Sequence, residues 1–270
     1  MAELEQIRAE LHSLRNPAKA EIVKKYLKSP YEFHGITVPA LRKIAKHYKD
    51  MELYSTFNLF DELWNSGNHE EMSLALYLLT NHKKKFTVEF WDFLTNPKRI
   101  EKFKTWDHVD EACSHTLGEV LLKNIYLNSE IKKMAESRNP WIRRMSIVSQ
   151  YPLIKKGKIQ FTILLAEKLV YDEDIYVQKA TGWMLREVGK KNLIELKEFI
   201  NHHKDMKPLA LSYATEKMPD FKKQIKEKLK DERENGKTKL FEDSNDGKLR
   251  PQETVGVLGS DLEKIKYFKK

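Results

Sequence analysis

The amino-acid sequence predicts an all-α fold, a solenoid of antiparallel helix pairs. Apolar residues recur at intervals of three and four from Leu4 to about Leu229, the period of amphipathic helices. A total of 10 Gly and 9 Pro in 270 residues is low for a loop-rich β architecture. Segments 139–150 (NPWIRRMSIVSQ) and 174–184 (DIYVQKATGWM) match at an offset of 35 residues. A period of about 35 to 40 residues is typical of stacked helix pairs, with chance similarity between amphipathic helices as the alternative.

The helices are predicted to begin or end at six dipeptides that contain Pro or Gly. Pro fits the first helical turn because the N–H that it lacks would have no partner there. Gly and Asn favour the turns between helices. The six dipeptides are Asn16-Pro17, Ser29-Pro30, Gly67-Asn68, Asn96-Pro97, Asn139-Pro140 and Lys207-Pro208. No alternating pattern of the kind that predicts a β-strand is present.

The positive charge is concentrated in the predicted helical domain, residues 1–231. Residues 232–270 have sparse apolar positions with 9 basic and 8 acidic side chains, so +8 of the net +9 belongs to the domain. This C-terminal segment is predicted to be a charged, flexible tail. Excess Lys and Arg favour a polyanionic partner, the alternative being a basic protein without one. In a solenoid, one helix of each pair lines the concave side, and a basic concave surface is suited to duplex DNA.

Cysteine use and hydropathy predict a cytoplasmic protein that is not secreted. Cys113 is the single cysteine, so no intramolecular disulfide can form and a reducing compartment is favoured. The N-terminal MAELEQIRAELHSL mixes charged and apolar residues and predicts an amphipathic helix, not a signal peptide. No uninterrupted run of about 18 apolar residues predicts a membrane span.

The first candidate site is Thr105-Trp106-Asp107-His108-Val109-Asp110. Trp106 and Asp110 are four residues apart and share one face of a helix. An aromatic surface beside a carboxylate suits a cationic, ring-shaped ligand or transition state. The alternative is structural, with Trp106 in the core and Asp107 or Asp110 capping a helix.

The second candidate site combines Lys179, Trp183 and Arg186 on one helical face. A tryptophan between cations is suited to nucleic acid, because cations bind phosphates while the ring packs on sugar or base. A buried Trp183 with solvated flanking charges explains the pattern equally well.

The third candidate site lies at the start of the helix predicted after Pro140. Its free N–H groups, together with Arg143 and Arg144, favour phosphate. Repeat-stacking arginines paired with acidic neighbours are the alternative. No zinc-binding pattern or nucleophile elbow is present, and a helix would point Cys113 and His115 apart, so neither a metal site nor a thiol nucleophile is predicted.

Four segments of the chain resemble the DNA alkylation repair enzyme family, specifically its AlkD-like DNA glycosylases. The resemblance covers roughly residues 1–230 and is most specific in the strings W-D-x-V-D and Q-K-A-x-G-W-x-L-R-E. The segments are KTWDHVDEACSHTLGEVLL at 104–122, NPWIRRMSIVSQ at 139–150, VQKATGWMLREVGKKN at 177–192 and NPAKAEIVKKYLKSPYEFHGITVPALRKIAK at 16–46. It implies a fold of HEAT-like helix pairs.

The resemblance also implies roles for individual residues. Asp110 matches the catalytic aspartate, and Trp106 and Trp183 match the aromatic residues that pack on the deoxyribose of the lesion. Arg144 and Arg186 match basic residues close to the DNA backbone. Thr37 stands where a relative has glutamine, which puts contacts to the lesion or the opposite strand in question. The DNA-binding set predicted from residues and resemblance together is Arg144, Arg186, Lys179, Arg143, Tyr26 and Thr37.

The implied activity is monofunctional excision of cationic alkylpurines, such as 3-methyladenine and 7-methylguanine, from duplex DNA without base flipping. A cationic base departs as a neutral molecule, so the main task is to stabilise the oxocarbenium-like sugar, a role suited to Asp110. We expect no organic cofactor, no catalytic metal and no strand-cleaving lyase activity, in a monomer that associates with the nucleoid in a prokaryote. The alternative is a non-catalytic binder of DNA structures or a protein scaffold, since fold does not fix function.

Overall fold

A computed structural model describes residues 2–234, in which the regular structure is helical and the β-pairing amounts to one isolated bridge between Glu32 and Asn68. The predicted all-α fold is confirmed. The α-helices are α1 (Ala2–Ser13), α2 (Pro17–Leu27), α3 (Val38–His47), α4 (Leu53–Trp64), α5 (His69–Thr80), α6 (Val88–Thr95), α7 (Pro97–Ile100), α8 (Trp106–Ala112), α9 (Gly118–Lys123), α10 (Asn128–Ala135), α11 (Pro140–Val148), α12 (Tyr151–Lys155), α13 (Gln160–Leu169), α14 (Ile175–Gly189), α15 (Leu193–His202), α16 (Pro208–Ala214) and α17 (Pro219–Glu234). Short 3-10 helices cover Lys83–Lys85 and Ile125–Leu127, and a π-helical turn covers Cys113–Leu117.

The predicted Asn-Pro breaks are helix starts. Asn16, Asn96 and Asn139 cap α2, α7 and α11, and in each case Pro occupies the first helical position. Each asparagine side chain accepts a hydrogen bond from a backbone N–H of the first turn. These groups have no partner within the helix, so the caps set where the helices begin.

Every second or third helix packs against the next to form one layer of a solenoid-like stack. This layer consists of α3, α5, α8, α11, α14 and α16, each in contact with its successor. Contacts across it join residues one repeat apart. Ser73 Oγ lies 2.9 Å from His108 Nε2, 35 residues further on. Trp141 and Tyr176, which the sequence match superimposes, pack with ring centroids 5.0 Å apart.

The apolar core follows the stack along its length. One cluster of buried residues extends from Ile7 to Val188, and a smaller one at the C-terminal end includes Ile200 and Ile225. Helix α14 contributes to both clusters, through Met184 to the first and Leu185 to the second. The helices that carry the candidate residues are therefore fixed on a continuous apolar base.

The predicted division at residue 231 falls within α17, which ends at Glu234. The rest of the predicted tail, residues 235–270, lies outside the described residues, so the prediction of a flexible tail stays a prediction. Across residues 2–234, no helix combines the length and hydrophobicity needed to cross a membrane.

Candidate active site

A cleft of about 890 Å³ opens along the layer of stacked helices and is lined in part by residues of α3, α5, α8 and α14. Four of the predicted site residues line it, namely Asp110, Trp106, Trp183 and Tyr26. Both tryptophans are half-buried and reach the cleft, and Trp183 also packs on the apolar core. Tyr26 meets Trp106 edge-to-face at 6.1 Å, and Tyr151 lies 5.5 Å from Trp183. The walls are thus aromatic on both sides of Asp110.

Helix α8 carries three carboxylates to the cleft, Asp107, Asp110 and Glu111. Their spacing of three and four places them on one side, while Val109 and Ala112 are buried on the other. The N-cap position is Thr105, so neither Asp107 nor Asp110 is the cap that the structural alternative required. Each carboxylate has a basic partner from a different neighbouring helix.

Asp110 is paired with Arg144 of α11, 34 residues further on. Arg144 Nε donates to Oδ1 at 3.0 Å, and Nη2 contacts both carboxylate oxygens at 2.8 Å. The Arg144 side chain is 5% exposed and that of Asp110 is 19% exposed. Burial raises the pKa of Asp110 above its ordinary value, and the guanidinium opposes this shift. Arg144 therefore orients the carboxylate and favours its ionised form.

Asp107 is paired with His69 of α5, with Nε2 and Oδ2 3.0 Å apart. Burial alone would raise the pKa of Asp107, but the neighbouring His69, His108 and Thr105 together outweigh it, and the pKa lies below the usual range. His108 packs on His69, and burial lowers the pKa of His108 to about 3, so His108 is neutral. Oδ1 of Asp107 is buried without a hydrogen-bond partner in the described residues.

Glu111 is paired with Arg42 of α3, whose Nη2 donates to Oε2 at 2.7 Å. The guanidinium also lies over the ring of Tyr77, 4.3 Å from its centroid. Burial raises the pKa of Glu111, and Arg42 opposes that shift. This pair could not be predicted from the sequence, because residues 69 positions apart show no pattern that links them.

His69, Asp107 and His108 offer ligand atoms within 4.8 Å of one another, the spacing of a metal site. The two imidazole rings, however, stack 4.1 Å apart with planes only 18° from parallel. Each lone pair lies in the plane of its own ring and metal–nitrogen bonds are about 2.0–2.1 Å long, so two stacked rings cannot direct their nitrogens at one ion. The geometry favours a direct contact between His69 and Asp107 over a metal centre.

The other residues of the predicted DNA-binding set do not line the cleft. Arg143 is bound to Asp172 by two hydrogen bonds of 2.6 and 2.9 Å, as the repeat-stacking alternative anticipated. Arg186 is paired with Glu216, and Lys179 lies 5.9 Å from the Tyr176 ring. Thr37 caps α3 by accepting a hydrogen bond from the Ala40 N–H. Arg144 is similarly occupied by Asp110. Phosphate contact by these residues stays a prediction.

Cations that sequence analysis did not single out line the cleft instead. Lys43 and Lys46 extend from α3, and Lys155 ends α12 with its ammonium group 4.6 Å from the Tyr151 ring centroid. All three are exposed. Lysines at the ends and outer faces of helices occur throughout the chain, so their sequence positions alone carried no signal.

Comparisons with known proteins agree with the resemblance seen in the sequence. The family model described as DNA alkylation repair enzyme matches residues 7–218. A solved structure, a predicted DNA alkylation repair enzyme from Enterococcus faecalis, has a similar fold with a TM-score of 0.65 and 20% sequence identity, covering 76% of this chain and 97% of that one. Among curated proteins no match is found. The chain belongs to the DNA alkylation repair enzyme family, and this membership supports a role in the repair of alkylated DNA.

Proposed function

We propose that the protein is a monofunctional DNA glycosylase that hydrolyses the N-glycosidic bond of cationic alkylated purines in duplex DNA. The observation that carries the proposal is a largely buried carboxylate, Asp110, held by Arg144 and open to a cleft flanked by Trp106 and Trp183. 3-Methyladenine and 7-methylguanine are the proposed leaving bases. We propose the monomer as the active form.

Asp110 is the proposed catalytic residue. Loss of a cationic base leaves oxocarbenium character on the sugar, and a fixed carboxylate nearby stabilises that charge. The same carboxylate can orient the attacking water, whose oxygen bonds to the anomeric carbon and whose proton leaves to the carboxylate or solvent. The departing base is already neutral once the bond breaks, so no strong general acid is required.

The two tryptophans are proposed to hold the deoxyribose. The negative face of an indole ring attracts partial positive charge, and this attraction grows as the sugar approaches the transition state. Ordinary glycosylases rotate the target base into a pocket. With Trp106 and Trp183 holding the sugar, we propose recognition of the lesion without that rotation, as the family resemblance implies.

The test is release of 7-methylguanine and 3-methyladenine from methylated duplex DNA by the wild type, Asp110→Asn and Asp92→Asn. Asp92 is an exposed carboxylate on α6 outside the cleft, so its amide variant is a matched control. We expect Asp110→Asn to lose about 100 to 1,000-fold in rate, as for other preorganised electrostatic groups. Asp92→Asn should retain wild-type activity.

Unchanged excision by Asp110→Asn would refute the assignment of the catalytic carboxylate. Absence of release by the wild type, together with tight and salt-sensitive DNA binding, would instead identify a non-catalytic DNA binder. Weak binding that is insensitive to salt would favour a protein scaffold.

A further inference from the structure

The arginines predicted to contact DNA are already engaged with carboxylates. Removing one member of a buried ion pair leaves an uncompensated charge, which is strongly unfavourable. These arginines therefore stabilise the fold through their ion pairs, and little of their charge is available to an incoming phosphate. The pairs are Arg143 with Asp172, Arg144 with Asp110, and Arg186 with Glu216.

Lys43 and Lys46 differ from these arginines both in exposure and in ion pairing. Both line the cleft and are exposed, and within residues 2–234 neither forms an ion pair. They lie three residues apart on one side of α3, while Leu41 and Ile44 anchor the opposite side in the core. The backbone that carries them is therefore rigid, and their ammonium groups remain available.

The charge distribution of the cleft gives these lysines a specific task. The floor presents the carboxylates of Asp107, Asp110 and Glu111, each already paired with a basic side chain, so it offers phosphate no unpaired cation. A duplex can place a nucleoside over this floor only if its phosphates are held at the rim by cations. Arg42, the neighbouring cation on α3, is already neutralised by Glu111.

We infer that Lys43 and Lys46 form a phosphate-binding edge of the cleft and contact the DNA backbone beside the lesion. This inference rests on the proposed function, since it assumes that duplex DNA occupies the cleft. It transfers the backbone contacts from the arginines predicted by sequence to two lysines of α3.

The test compares Lys43→Gln/Lys46→Gln with Lys84→Gln/Lys98→Gln in the full chain. Lys84 and Lys98 are exposed, lie outside the cleft and have no ion pair in the described residues, so both double variants remove the same charge. The probe is an unmodified DNA duplex, whose dissociation constant is measured by fluorescence anisotropy at several salt concentrations. Far-UV circular dichroism checks that each variant folds.

Each lost phosphate contact should reduce the slope of log affinity against log salt by about 0.9. The α3 variant should therefore lose about 1.8 from the slope. Between 50 and 200 mM salt the wild type should lose about twelvefold more affinity than this variant. The Lys84/Lys98 control should keep the wild-type slope.

Equal slopes for the two double variants would overturn the inference, and so would a wild type that does not bind duplex DNA. Base release is measured separately on methylated DNA. A reduced slope in the α3 variant together with no base release by the wild type would sink the glycosylase proposal and leave the phosphate-binding edge standing.

Discussion

Replacing Arg144 with methionine should destabilise the fold through its effect on Asp110. Methionine fills the volume of the aliphatic stem but leaves the three contacts of 2.8 to 3.0 Å to the carboxylate unmade. Breaking a buried pair by removing one partner costs about 3–5 kcal/mol. Because the Asp110 side chain is 19% exposed, some water reaches it, and we expect a loss of about 3 kcal/mol.

The double variant Asp110→Asn/Arg144→Met is the control for this prediction. It removes both charges, so no ion is left buried without a counter-charge, and it should unfold at higher urea than Arg144→Met alone. Urea denaturation followed by circular dichroism at neutral pH supplies the comparison. Fully additive losses from the two single changes would show that the pair is not coupled, and this result would refute the reasoning.

The direction of the pH dependence follows from the pKa of Asp110. Burial raises this pKa and Arg144 opposes the rise, so removal of Arg144 should raise the pKa further. Below the unfolded-state pKa of about 3.9, the carboxyl is protonated in both the folded and the unfolded state and the substitution costs little. The cost grows as pH rises above that value and is complete once the folded-state carboxyl is ionised.

The same shift should appear in catalysis. If Asp110 acts as a carboxylate, the acid limb of the excision rate should lie at higher pH in Arg144→Met than in the wild type. Arg144→Met could instead be less stable than the wild type while the acid limb of its excision rate stays at the same pH. That result would show that Arg144 stabilises the fold without affecting the ionisation of Asp110.

Two further predictions concern the segment that follows α8, where Cys113 begins the π-helical turn and Gly118 begins α9. Gly118→Ala should cost at least about 1 kcal/mol despite the better helix propensity of alanine, because the new Cβ would lie 2.5 Å from the Ser149 carbonyl oxygen. Gly189→Ala, where the closest atom is the movable end of Leu196, is the matched control, and equal urea midpoints for the two variants would contradict this prediction. Cys113 is fully buried and its pKa is raised by burial to about 12, so iodoacetamide should label it only when the chain unfolds. Rapid labelling without denaturant would show that the π-helical turn opens in the native state.

The sequence was sufficient to predict features that depend on local spacing. The caps Asn16, Asn96 and Asn139 could be predicted because each needs only an asparagine before a proline. Trp106 and Asp110 could be placed on one face because four residues make about one helical turn. The repeat offset of 35 residues could be predicted, and it aligned Trp141 with Tyr176. The packing of the two rings against each other could not be predicted.

Features that depend on how one helix faces another could not be predicted. Arg144 was expected to contact phosphate because it lies near a helix start and matches a basic residue of the family. Its pairing with Asp110, 34 residues away, could not be predicted because the sequence does not define which sides of α8 and α11 meet. The π-helical turn at Cys113–Leu117 has no sequence signature, and neither has the close approach of Gly118 to the Ser149 carbonyl oxygen that follows it. Lys43 and Lys46 became distinct from other surface lysines only when α3 was placed at the cleft.

The three paired carboxylates of α8 explain how one short helix can serve as the floor of the cleft. The partners of these carboxylates are His69 of α5, Arg42 of α3 and Arg144 of α11. The pairs therefore tie α8 to helices of the same layer on both sides. A carboxylate fixed in this way does not have to reorganise when positive charge develops on the sugar. The same pairs lower the net charge of the floor, which reduces its repulsion of phosphate. The floor nevertheless offers phosphate no unpaired cation, so the DNA backbone must be held elsewhere in the cleft. The exposed lysines of α3 are suited to that task.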